Sequence, residues 1–192
     1  MRSSIVGILV FAALAFLPQV MDNPYYLDLL ILVFLWTSLS SSWNILGGYT
    51  GQVSMGHAAY FGIGAYTMAI LGTNFGFSPW AALFLGALSG LPLAFLIGFI
   101  CFRLRGPYFV LATIALAEVL RLIALAWRSV TQGAAGLVVP SLFTEKAGAY
   151  YFILTVAALT ILLTMKIANS KLGFYFVAIR EDEETAESIG IN

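Results

Sequence analysis

Charge is scarce in this chain. Only 9% of its 192 residues are Asp, Glu, Lys or Arg, and 61% are hydrophobic, whereas ordinary soluble domains are roughly 25% charged. That balance excludes a soluble globular domain and points to an integral membrane protein. Nine basic and nine acidic residues cancel, so no overall field attracts nucleic acid or an acidic partner. Cys101 is the single cysteine, which excludes an internal disulfide, and with His57 as the single histidine it cannot assemble a Cys/His zinc site. No phosphate-cradling G-x-x-x-x-G-K-[ST] sequence occurs. Nor does any nucleophile with a base, metal cluster or carboxylate pair stand at usable spacing, so the chain has no catalytic or metal residues and is not read as an enzyme.

What is abundant is apolar sequence. Crossing about 30 Å of hydrocarbon takes about 20 helical residues, and six runs tile the chain: Ile5 to Leu17, Tyr25 to Leu46, Gly51 to Gly72, Pro79 to Phe102, Pro107 to Trp127 and Ala149 to Ile167. The first is short enough for a signal-peptide core. No small-x-small cleavage site follows it, and FLPQVMDNP reads as a helix stop and turn, so it is assigned as an anchor. The expected fold is therefore all-α, with about six transmembrane helices.

Lys and Arg concentrate in cytoplasmic loops. Six spans with both termini cytoplasmic place Arg2, Arg103, Arg105, Lys166, Lys171 and Arg180 inside and leave Arg128 and Lys146 outside. Removing one interior span breaks this pattern. A 25-residue tail from Ala168 remains on the cytoplasmic side.

The third run carries an unusual stripe. If it is helical throughout, Gly51, Ser54, Ala58, Gly62, Ala65, Ala69 and Gly72 recur at spacings of 3, 4, 4, 3, 4 and 3 and share one face. All are small, as close helix packing in lipid requires. Gly86 and Gly90 repeat the small-xxx-small spacing in the fourth run, where Pro92 is expected to introduce a kink.

Polar residues crowd the start of that stripe. Thr37, Ser41 and Asn44 lie on one face of the second span, and Gly47, Gly48 and Gly51 follow where the helix should break. Broken helix at membrane depth is tolerated where protein or water satisfies the freed backbone, and transporter sites are commonly built there. Asn44, Gln52, Ser54 and His57 either line a path or hydrogen-bond between helices. Glu118 and Arg121, three residues apart in the fifth span, form an intramembrane ion pair that is either functional or structural, with Arg121 also placed to snorkel outward. In the tail, the carboxylates around Arg180 to Ile189 favour a helix N-terminus and equally fit a solvated helix.

Together, NILGGYTGQVSMGHAAYFGIGAYTMAIL and AIREDEETAESIGIN resemble the permease subunits of branched-chain amino acid ABC transporters, of the LivM type. RGPYFVLATIALAEVLRL and TQGAAGL extend the resemblance over the chain from about Asp28 onward. It implies a multi-pass protein of the bacterial inner membrane. Its implied partners are a second permease subunit, two cytoplasmic ATPases that bind ATP and Mg, and a periplasmic solute-binding protein delivering leucine, isoleucine or valine. No cofactor is expected in this chain itself. Glu184, Ala186 and Gly190 match the E-x-A-x-x-x-G core of the ATPase coupling loop, Thr185 departs from the usual Glu-Ala-Ala, and Arg180, Glu181 and Asp182 precede or rim that contact. The resemblance thus divides the chain into a transmembrane permease core, 1–167, and a coupling segment, 168–192, expected to be cut before further membrane helices. Permeases for urea or short amides share these features, and a channel-like or scaffolding protein oligomerised by its glycine stripe is the alternative of another class.

Overall fold

A computed structural model of the protein describes every residue except Met1, Met21, Asp22, Phe102, Arg103, Arg105, Pro140 and Asn192, with backbone alone for residues 2–6 and 8. The expectations for Arg103, Arg105 and the last residue therefore lie outside the described residues, as does that for the Arg2 side chain. The helices are α1 (Arg2–Val20), α2 (Pro24–Asn44), α3 (His57–Asn74), α4 (Pro79–Cys101), α5 (Pro107–Ala126), α6 (Arg128–Thr131), α7 (Lys146–Ala168), α8 (Lys171–Glu181) and α9 (Glu183–Ser188). A π-helical turn, Ile45–Tyr49, prolongs α2, and a short 3₁₀ turn spans Gly133–Ala135. Among the described residues there is no strand.

Local chemistry sets several boundaries. Asn23 caps α2 by accepting the Tyr25 N–H at 3.0 Å, and Pro24 fills the first helical position, where a missing N–H costs nothing. Pro107 opens α5 in the same way. Among the described residues, four helices are long and apolar enough to cross a membrane: α2 with its π turn, α4, α5 and α7. The apolar part of α1, Leu9–Val20, is shorter. The third expected span is the main correction: α3 begins at His57, and Gly51 and Ser54 precede it outside any helix.

The chain forms two compact units, Met1–Gly51 with Phe143–Asn192, and Gln52–Leu142. In the first, α2 packs on α7 through Leu27, Phe34, Tyr150, Leu154 and Ala157, with Leu14 and Ala15 of α1 against them. The rings of Phe34 and Tyr150 meet edge to face at 5.5 Å, and the Tyr150 hydroxyl donates to Leu14 O at 2.7 Å. α2 and α7 run parallel. Lys146 pairs with Asp28 near their first turns, and Thr164 Oγ1 donates to Ser41 O at 3.4 Å near their last. Hydroxyls on α2 are satisfied within the helix, as Thr37 donates to Val33 O and Ser42 to Ser38 O.

In the second unit, α3 and α4 pack closely where Gly64 meets Gly86. A Cβ on Gly86 would stand 2.7 Å from Gly64 O, so only glycine fits that approach. The expected stripe is displaced from this contact. Gly62 and Gly90 face open space, Ala58 and Ala65 are exposed, and of the stripe within α3 only Ala69 is buried. The buried side of α4 is Ala82, Gly86, Leu93, Ile97 and Cys101, with the helix continuous through Pro92.

Candidate functional site

The region between α2 and α3 breaks as its glycines suggest. The π turn brings the Trp43 ring over Gly47 and the Asn44 amide against Gly48, so a Cβ at either position would displace that side chain. Thr50 Oγ1 donates to Leu46 O. Gly51 then takes φ +70°, a conformation in which other L-residues are strained.

An arginine from α8 reaches this break. Arg180 Nη1 donates to Gly48 O at 3.2 Å, and its Nη2 pairs with Glu181 Oε1 at 3.0 Å. Its stem fills the space beside Gly51, where a Cβ would lie 2.5 Å from Arg180 Cγ. Two glycines and one guanidinium thus interlock across 132 residues of sequence. Sequence reasoning placed Arg180 in the coupling segment and missed its partner. No local signal could have found it, because the two residues meet only through tertiary folding.

The second unit holds the continuation, Gln52 to Gly56, against α5. The Met55 N–H donates to Thr113 Oγ1 at 3.2 Å, and Thr113 Oγ1 donates to Val110 O at 2.8 Å. Ser54 Oγ accepts the Gly56 N–H at 3.3 Å. Both hydroxyls are deeply buried, Ser54 at 3% and Thr113 at 1% exposure. Non-helical chain buried against a helix needs such partners for its backbone groups. His57 opens α3, its ring 6.0 Å from Tyr60 and its Nδ1 enclosed without a hydrogen-bond partner. Of the four expected path residues, Ser54 and His57 flank Gly56 and Gln52 is half-buried two residues before Ser54. Asn44 lies in the first unit against Gly48.

On α5, Arg121 grips Glu118 with two hydrogen bonds, Nε to Oε2 at 2.8 Å and Nη2 to Oε1 at 2.5 Å. The fork folds the guanidinium back over Glu118, toward the start of the helix.

The C-terminal segment is a capped helix. Asp182 Oδ1 accepts the Thr185 N–H at 2.7 Å at the start of α9. At the other end, Ile191 N–H donates to Ala186 O and Gly190 N–H to Glu187 O, each at 3.0 Å, with Gly190 at φ +86°. This is a Schellman cap, which explains the glycine of the E-x-A-x-x-x-G pattern by backbone geometry. Ala186 is buried at 2% exposure and Glu184 is exposed, so the two motif residues point in different directions. The Thr185 N–H holds the Asp182 carboxyl below its ordinary range. A depressed carboxyl keeps its cap above the usual Asp value, about 3.9, and loses it as pH falls through the lower folded value. The Thr185 amide resonance should therefore stay constant from neutral pH to about 4 and move only below it. Asp182→Asn should abolish that movement, and a midpoint at or above the ordinary Asp value would remove the assignment.

The profile described as "Branched-chain amino acid transport system / permease component" matches residues 25–192. The chain is 28% identical over 195 aligned residues to "High-affinity branched-chain amino acid transport system permease protein LivM" of Escherichia coli K12, covering 86% of this chain and 46% of that protein. The protein of the same name from Salmonella typhimurium LT2 matches at 28% identity with the same coverage. The chain thus spans about half the length of these relatives. No solved structure matches it. With a matching profile across nearly its whole length, the chain belongs to the branched-chain amino acid transport permease family, whose relatives here are membrane permease subunits and not enzymes.

Proposed function

We propose that this chain is part of the membrane-spanning permease of an ABC importer that carries leucine, isoleucine or valine across the bacterial inner membrane. A second permease subunit, two ATPases holding ATP and Mg, and a periplasmic binding protein complete the transporter. Residues 1–167 form the membrane core and 168–192 the cytoplasmic coupling segment, in which the exposed Glu184 meets the ATPase. Gln52, Ser54 and His57 stand at one end of the solute path, where the chain runs outside any helix up to the start of α3.

The observation carrying this reading is the bond from Arg180 Nη1 to Gly48 O. It joins the coupling segment directly to the break, so movement imposed on one is felt by the other. The topology has separate support. Parallel helices α2 and α7 require an odd number of crossings between them, and α4 and α5 supply two. Taking α3 as the third yields six spans with both termini inside, and brings Gly48 and Arg180 to the same side.

Uptake of labelled leucine, urea and short amides in cells lacking the protein tests the substrate. Leucine uptake should fall to background and return with the intact gene, and a deficit confined to urea or amides would replace the substrate assignment. Glu184→Arg should lower ATPase recovery in a pulldown by about tenfold, equivalent to about 1.4 kcal/mol of docking energy, while membrane insertion persists. Unchanged recovery would remove Glu184 from the contact.

A further inference from the structure

Resting on the transport reading above, we infer that the Glu118–Arg121 pair forms the wall of a water-filled passage and offers its two charges to the ammonium and carboxylate of a passing zwitterionic amino acid. At 1.5 Å per residue, Glu118 lies about 17 Å along the axis from Pro107 and about 12 Å from Ala126, near the middle of the span. Phe109 and Thr113, the buried residues of α5, face the other way, since nine residues separate Phe109 from Glu118 and turn the helix by about 180°. The pair therefore stands on the side of α5 that its own unit leaves uncovered, with Arg121 59% and Glu118 49% exposed.

Hydrocarbon is a poor neighbour for such a pair. Intramembrane ionisable residues face a bundle interior or a water-filled cavity, because lipid solvates neither charge. Outward snorkelling is closed to Arg121 by the fork that bends its guanidinium toward Glu118. Of the five N–H donors of a guanidinium, two are engaged by Glu118. The remaining donors suit a carboxylate, while the outer lone pairs of Glu118 suit an ammonium. Leu111, Ile114 and Leu122 lie on the same exposed side, within about 40° of Glu118 around the helix. They provide an apolar seat for an aliphatic side chain beside a head-group site of matching charge. This complementarity favours a zwitterion in water over a partner helix, which would have to satisfy both charges while dry.

The test is thiol labelling in the assembled transporter, in a Cys101→Ser background, with a membrane-impermeant maleimide. Ile114→Cys and Leu122→Cys should react at least about tenfold faster than Phe95→Cys, an 85%-exposed position on α4, because the thiolate forms in water and not in lipid. Leucine supplied with its binding protein should slow both reactions. Absence of labelling at Ile114 and Leu122 would overturn the inference, since lipid or a partner helix then covers this side. Labelling that leucine leaves unchanged, in a transporter that still takes up leucine, would overturn the zwitterion contact. Loss of leucine uptake by the unmodified transporter would instead refute the transport reading on which the inference rests. As a second readout, Glu118→Gln should reduce leucine uptake by about tenfold, and exchanging the charges by Glu118→Arg with Arg121→Glu should restore part of it.

Discussion

Arg180→Ala is expected to lower ATP-driven uptake about tenfold while leaving the protein in the membrane and bound to its ATPase. The change removes the bond to Gly48 O and the stem that packs beside Gly51. A half-exposed bond from a charged donor to a carbonyl contributes about 1.5 kcal/mol, the lower end of its range, and that corresponds to a factor of about ten in an equilibrium. Gly51→Ala should be damaging for a complementary reason. Its φ of +70° costs an alanine about 1–2 kcal/mol, and the new Cβ collides with Arg180 Cγ. Because the collision vanishes when both side chains are changed, the double variant should be less impaired than the sum of the singles. Transport and ATPase activity measured together would check this. Strictly additive losses, or full uptake by Arg180→Ala, would mean that the interlock transmits nothing.

The second large effect concerns folding. Gly86→Val places a branched side chain where a Cβ would stand only 2.7 Å from Gly64 O, and a backbone atom cannot swing aside as a flexible side chain can. Overpacking of this kind costs about 1–3 kcal/mol, so the purified variant should melt several degrees lower or fail to accumulate. Gly62→Ala and Gly90→Ala meet open space. They should be neutral or stabilising by up to about 1 kcal/mol, the helix-propensity gain of alanine over glycine. Equal damage at all three glycines would place the α3–α4 contact elsewhere.

That contrast also shows what was legible in the amino acids. The apolar runs that became α4, α5 and α7 were readable to within a few residues, since length and proline at the first position are local signals. The start of α3 was not. Small residues from Gly51 to Gly72 satisfy helical spacing on paper, and spacing is blind to a positive φ at Gly51 or to the hydroxyl of Thr113 that accepts the Met55 N–H. Periodicity groups residues on a face without saying which face meets a neighbour, and the meeting point proved to be Gly64, off the expected stripe. The Glu118–Arg121 pair was visible as a local spacing. The Arg180–Gly48 bond spans 132 positions and depends on tertiary folding, so no short motif announces it.

The π turn at Ile45–Tyr49 has a mechanical consequence. Its hydrogen bonds reach one residue farther than those of an α-helix, so its coil is wider than an ordinary turn. Gly47 and Gly48 put no side chains at its centre, and the Arg180 guanidinium is hydrogen-bonded to one of its carbonyls. A pull on α8 would therefore reach α2 at its final, π-helical turn, through the carbonyl of Gly48.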